Sequence, residues 1–312
     1  MRAFLLRRLI FIIISLFGAT VVMFSLSRMG PDPRNLFVPQ GGYGITRTQW
    51  EALGEKMGFN KPVVVQYFLW VGRLLKGDMG ESLAQQRPVR PLIMSRLGAT
   101  MQLALGGWIL AIALGVPLGV LSAVKRGTIW DYLGRGFAVF GQALPPFWVG
   151  IMFIVLFSQI LEWLPSGTRG ETFDIRDFIL PTVTLGWYAA ASILRLTRSA
   201  MLEILDSEYI KFARAKGVRE WMVIWKHALK NSLIPPLTAA LLLMAGFLQG
   251  ALVVEYVFSW PGVGRLALYK AVWDNDFPLL LGAVFVFVII YLIFALVADI
   301  AYGYIDPRIR YQ

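Results

Sequence analysis

The sequence predicts an all-α, polytopic membrane protein with six transmembrane helices and both termini in the cytoplasm. Three observations carry that reading. Of 312 residues, 57% are hydrophobic and only 16% charged, too apolar for a soluble domain. Residues 9–27, 97–124, 136–161, 178–194, 231–254 and 277–298 contain no Asp, Glu, Lys or Arg, and about 20 helical residues cross a bilayer core of roughly 30 Å. Six spans put both termini on one side. That side holds sixteen Lys and Arg residues in its termini and short loops, eight of them between Arg195 and Lys230. The two short loops opposite hold only Arg169, Arg176, Arg265 and Lys270, which makes the side of the termini cytoplasmic.

Residues 1–28 form a cytoplasmic tip and the first span. The basic start, apolar run and Ser25-Leu26-Ser27 imitate a secretory signal. The run is longer than a signal core and more spans follow, so an uncleaved anchor is expected. Met29-Gly30-Pro31-Asp32-Pro33 then breaks the chain and opens an extracytoplasmic insertion over 29–96. Within it, Thr46 or Thr48 is placed to cap a helix through Trp50, Leu53, Met57 and Phe59. Val63 to Leu75 predicts a second helix, with Tyr67, Trp70, Val71 and Leu74 on one stripe. Five spans fill a core domain over 97–303, interrupted by a cytoplasmic loop over 199–232, and 304–312 is a cytoplasmic tail.

Several spans carry helix-disrupting residues. Pro181 and Pro235-Pro236 are expected in first turns, where a missing N–H costs nothing. Pro145 and Pro146 lie well inside their window and must break or kink the helix. Irregular backbone at membrane depth is tolerated only against protein or a wet cavity, so the pair marks either a packing kink or a pathway. Gly246 and Gly250, in a fifth span over 234–254, have the four-residue spacing that lets helix backbones approach. They serve either a path and a partner helix or packing within the chain. Gly282 in span six is placed nearer the periphery. Glu255 and Asp299 bound their windows and are expected at the interface, and Trp260-Pro261-Gly262 is expected as a rigid turn at the outer mouth.

Enzymatic readings lack their residues. His227 is the one histidine, so neither a zinc motif nor a Ser–His pair can be assembled. No lysine follows a glycine, which excludes a Walker A sequence. There is no cysteine for disulfides or thiolate metal sites, and no cofactor is implied. The net charge of +11 marks cytoplasmic loops facing anionic lipid head groups, and no nucleic-acid partner is expected. Spans so free of charge describe a conduit driven from outside itself, since an ion-coupled carrier or channel would show buried ionisable groups.

The cytoplasmic loop supplies a handle for such a drive. Asp206 or Ser207 can cap a helix on which Tyr209, Phe212, Ala213 and Lys216 follow one stripe. Ala213, Ala215 and Gly217 keep the surface low for another protein's backbone, and Gly217 suits a helix end that needs φ > 0. A second helix places Trp221, Ile224, Trp225, Ala228 and Leu229 at amphipathic spacing. The pair reads either as a lever gripped by a cytosolic machine or as a loop lying on lipid.

ARAKG (213–217), HALKNSLIPP (227–236) and VVEYVFSWPGVGRL (253–266) resemble the inner-membrane permease of binding-protein-dependent ABC importers. The resemblance is nearest to the B-type subunit of the dipeptide/oligopeptide/nickel group. RRL (7–9), GDMGESL (77–83), ALPPFWVG (143–150), LRLTRSAMLE (194–203) and DPRIR (306–310) agree, so it runs nearly end to end. It implies the type I importer permease fold in a prokaryotic inner membrane. It also implies a coupling helix around Tyr209, Phe212, Ala213, Arg214, Ala215, Lys216 and Gly217 that enters a cleft on a cytoplasmic ATPase. Where the broader importer motif has Glu, this chain has Lys211, so no Glu role carries over. The implied partners are a second homologous permease in a heterodimer, two ATPase subunits, an extracytoplasmic solute-binding protein and membrane lipid. The cargo is expected to be a short peptide, with nickel, glutathione or an oligosaccharide as alternatives. The path or outer gate is expected from Pro145, Pro146, Gly246, Gly250, Glu255, Trp260, Pro261 and Gly262.

Overall fold

The structure, a computed structural model, describes residues 2–29, 60–167 and 174–305, together with Thr48, Glu51, Gly54 and Glu55. The helix expected between Thr46 and Phe59 falls largely outside these residues, as does the tail after Ile305. The described elements are helical: α1 (Arg2–Met29), α2 (Val63–Leu75), α3 (Val89–Val124), α4 (Ile129–Ala143), α5 (Pro146–Ile160), α6 (Ile175–Leu205), α7 (Glu208–Ala215), α8 (220–232), α9 (Ile234–Val257), α10 (263–271) and α11 (Phe277–Ile305). An isolated bridge pairs Glu81 with Pro88.

Five helices, α1, α3, α6, α9 and α11, are long and apolar enough to cross a bilayer alone. The remaining window, 136–161, is not one straight span. It divides into α4 and α5, bent by 107° at the break. Leu144 and Pro145 are extended, with ψ of 129° and 135°. The residue before a proline is driven out of the α region, and proline has no N–H with which to continue the ladder. Two prolines in succession therefore end α4, and Pro146 restarts the chain at the first turn of α5. Pro235 and Pro236 likewise open α9. Pro181 differs from expectation: α6 already begins at Ile175, capped by Asp174 accepting the Arg176 N–H at 2.9 Å, so Pro181 lies in the helix interior.

The chain divides into two compact units. The first comprises residues 1–99 and 261–290. Phe24 of α1 packs with Tyr67, Trp70 and Leu74 of α2 and with Leu281, and the Tyr67 hydroxyl shares a hydrogen bond of 3.0 Å with Thr20. A second cluster joins Val89 and Ile93 to Val263, Leu266, Leu279 and Ala283. Asp276 accepts hydrogen bonds from the Ser82 hydroxyl, from the Ala84 N–H at 3.3 Å and from the Leu279 N–H at 3.2 Å. It thus ties the segment before α3 to the first turn of α11. Gly282 faces this core, since a Cβ there would stand 2.6 Å from Val89.

The second unit comprises residues 100–260 and 291–312. Here α3 and α6 touch through backbone: a Cβ on Gly115 would lie 2.8 Å from the Ala190 carbonyl, and one on Gly119 2.8 Å from that of Leu194. Small residues four apart let helices approach this closely. On another side of α6 lies α9, where Gly250 faces Leu185. The Trp108 indole adds a link from α3 by donating to the Ala240 carbonyl at 2.7 Å. The apolar window of α6 is 67% buried, against 11% for α1. It is the central strut, and it leads directly into the cytoplasmic loop.

Candidate functional site

The loop after α6 is built as a helical hairpin. Ser207 takes the N-cap position of α7, but its hydroxyl donates to the Ile204 carbonyl at 2.6 Å instead of capping the helix. At the other end the chain closes through Gly217, φ +76°, with its N–H on the Arg214 carbonyl at 2.9 Å and the Val218 N–H on that of Ala213 at 3.3 Å. Only glycine adopts this left-handed backbone without cost. Arg214 then bridges to Glu220 at the start of α8, with Nη2 to Oε1 at 2.8 Å and Nε to Oε2 at 3.3 Å. That carboxylate raises the guanidinium's pKa further. The Tyr209 hydroxyl and His227 Nδ1 lie 2.7 Å apart, a further tie between the two helices.

The hairpin is seated on the spans above it. Ile210 of α7 and Val223 and Ala228 of α8 are buried against Val120 and Ala123 of α3 and Met201 of α6. Tyr209, Phe212, Arg214, Ala215, Lys216 and Gly217 remain exposed on the other side, with Lys216 lying 4.4 Å over the Phe212 ring. Ala213 departs from the expected stripe: it is turned inward with Ile210, so its smallness serves packing inside the chain. The second helix departs as well. A π-helical turn over Val223–Ala228 shifts its register, burying Val223 and Ala228 and leaving Trp221 and Trp225 exposed.

The residues expected along a path differ widely in their burial. Pro145 and Pro146 are exposed at the α4–α5 bend, followed by exposed Phe147 and Trp148. Gly246 is exposed with nothing within 4 Å of a Cβ, whereas Gly250 already meets Leu185 of its own chain at 2.9 Å. Glu255, near the end of α9, is fully buried within the protein (0% exposed). Trp260 is buried too, its ring 5.8 Å from that of Phe178 and its backbone N–H on the Glu255 carbonyl at 2.9 Å. The left-handed residue of this turn is Ser259, φ 52°, while Gly262 is extended and begins α10 in the first unit. Among the described residues no three His, Asp or Glu side chains gather as a metal site requires.

One pairing at the foot of the spans escaped the sequence reading. Asp131, at the start of α4 and only 2% exposed, receives both arms of Arg198 of α6, Nε at 2.7 Å and Nη2 at 3.0 Å. Ser122 and the Gly127 N–H complete its shell at 2.8 and 3.1 Å. The available signal was an aspartate just before an apolar window, which by itself names no partner.

The chain matches the family described as binding-protein-dependent transport system inner membrane component over residues 115–311. It is 37% identical to the dipeptide transport system permease protein of Alkalihalophilus pseudofirmus, with 100% of each chain covered. It is 38% identical to the oligopeptide transport system permease protein of Bacillus subtilis, again with 100% of each covered. Its fold is similar to a chain of the MetNI methionine ABC transporter in an inward-facing conformation, with a TM-score of 0.57 at 19% identity over 69% of this chain and 96% of that one. A chain of an amino acid ABC transporter gives a TM-score of 0.51 at 16% identity over 68% and 93%.

Proposed function

The chain belongs to the family of binding-protein-dependent transport system inner membrane components, with a type I ABC importer permease fold, and we propose that its cargo is a di- or oligopeptide. The peptide reading is supported by full-length relatives named for dipeptide and oligopeptide transport. The family works with an ATPase and a solute-binding protein. The complete machine is proposed as this chain in a heterodimer with a second, homologous permease, two cytoplasmic ATPase subunits that alone hydrolyse ATP, and surrounding lipid. The core domain is proposed over 97–303, with 29–96 as an extracytoplasmic insertion.

One observation carries the mechanism: α7 exposes Tyr209, Phe212, Arg214, Ala215, Lys216 and Gly217 while Ile210, Val223 and Ala228 fix it to α3 and α6. A surface that only rested on lipid would have no need of a rigid seat. ATP binding closes the ATPases and draws the coupling helices together. Because α7 follows α6 almost without a break, that displacement passes into the most buried span and rocks the bundle between inward- and outward-facing states. Selection among cargoes resides in the binding protein, since the spans offer few charges.

The test is reconstitution of the complete transporter in proteoliposomes, measuring ATP hydrolysis and uptake with dipeptide, tripeptide, nickel or oligosaccharide and the matching binding protein. Peptide-stimulated hydrolysis with peptide uptake is expected. Stimulation by nickel or oligosaccharide alone would overturn the cargo, and failure of any ATPase to co-purify would overturn the coupling role.

A further inference from the structure

At the cytoplasmic foot of the second unit, groups from α3, the α3–α4 turn and α6 converge on one buried carboxylate. Asp131 takes Arg198 with both oxygens, at 2.7 and 3.0 Å, and adds Ser122 at 2.8 Å and the Gly127 N–H at 3.1 Å. A second link joins the same turn to the end of α6: Arg126 reaches Asp206 at 3.3 Å, on the exposed side. Above both, Gly115 and Gly119 bring α3 into backbone contact with α6, while Gly134 sets α4 close to Ser122, where a Cβ would lie 2.9 Å from the hydroxyl.

A buried ion pair is a poor way to gain stability, because desolvating two charges cancels most of their attraction, but it defines geometry. Apolar contacts are non-directional and let helices slide. A two-pronged guanidinium–carboxylate pair fixes distance and rotation together. Arg198 lies about two turns before the end of α6, from which α7 hangs. We propose that the Asp131–Arg198 clasp is the joint that hands the displacement of α7 and α6 on to α3 and α4. This makes Asp131 and Arg198 positioning residues of the coupling machinery, and it rests on the reading of α7 as the ATPase contact. Without the clasp, α7 still docks and its ATPase still turns over, but the end of α6 moves against α4 without carrying it.

The experiment uses the complete transporter in proteoliposomes and reads cargo carried per ATP hydrolysed. For Asp131→Asn, hydrolysis is expected to stay within about twofold of wild type while cargo per ATP falls about tenfold, an ordinary size for a lost coupling. Arg198→Lys keeps the cation but gives up the fork, and is expected to lower the ratio by less; it serves where Asp131→Asn does not assemble. The chain has no cysteine, so cysteines at 131 and 198 can be joined by a short bis-methanethiosulfonate reagent. Bridging should restore the ratio and reduction should abolish it. If Asp131→Asn and Arg198→Lys both carry wild-type cargo per ATP, the joint is refuted while the coupling role of α7 stands. If hydrolysis and uptake fall in parallel and bridging restores neither, the pair is merely structural. If wild type shows no ATP-driven uptake, the coupling reading fails and the joint with it.

Discussion

Substitutions at Gly217 separate backbone strain from steric conflict. Its φ is +76° and nothing lies within 4 Å of an added Cβ, so alanine introduces no clash. The whole penalty is the left-handed backbone, about 1–2 kcal/mol for an ordinary residue. That lowers the ratio of native to rearranged turn by about five- to thirtyfold. Asparagine tolerates this region better and should lose less. Proline cannot take the conformation at all, since its ring holds φ near −65°. It also removes the N–H that reaches the Arg214 carbonyl at 2.9 Å. The Arg214–Glu220 pair, 44% and 59% exposed, is too solvated to hold the turn alone. ATP-driven uptake should therefore fall in the order Gly, Asn, Ala, Pro, with membrane insertion intact throughout because the spans are untouched. Uptake and co-purification of the ATPase, measured on the same preparations, check this. Normal transport by Gly217→Pro, or Asn as damaging as Pro, would refute the assignment of the turn.

Topology is checked by cysteine labelling, for which Ser82 is unsuitable because it is buried on Asp276. Ala84→Cys and Lys226→Cys, both at exposed positions, should label from the extracytoplasmic and cytoplasmic faces respectively; labelling of both from one face would overturn the six-span arrangement. In detergent, Gly282→Leu should unfold at lower temperature than wild type, since its Cβ would stand 2.6 Å from Val89 and 3.1 Å from Ile93, an overpacking worth about 1–3 kcal/mol. Gly246→Leu enters open space and should leave the melting temperature unchanged; equal losses for the two would show that the packing around α11 has been misjudged.

The spans were legible because a bilayer excludes charge, and an uncharged run of sufficient length needs no periodicity to be recognised. Pro145-Pro146 was legible as a break for an equally local reason, but its 107° angle depends on what α4 and α5 each pack against. The Asp131–Arg198 clasp was not legible. Arg198 is one of sixteen cytoplasmic cations and looks like a topology signal, and only the packing of α4 against α6, close enough that a Cβ on Gly141 would stand 2.4 Å from Ala191, brings it to Asp131. Glu255 shows a complementary limit: proximity to a window edge speaks to depth in the bilayer, but burial within the protein is set by the neighbours of α9, and it is 0% exposed.

The faces of the coupling hairpin carry a further lesson about periodicity. A 3.6-residue repeat identifies a stripe but not which side of it turns inward, and a π-helical turn defeats the repeat itself. In α7 the inward residues are Ile210 and Ala213, and in α8 they are Val223, Ala228 and Ser232. What remains outside is aromatic: Tyr209, Phe212, Trp221 and Trp225, interleaved with Lys211, Lys216 and Lys226. A self-sufficient soluble domain would bury most such side chains, since large apolar groups left exposed together on one element are a feature of interaction sites. Aromatic side chains set among cations also suit the centre of a protein contact, where they fill pockets at low entropic cost. Within the proposed function, the aliphatic residues Ile210, Ala213, Val223 and Ala228 join the hairpin to the spans and the exposed aromatic ones await the ATPase. The division of α7 and α8 into these two faces is what the proposed coupling role requires of the hairpin.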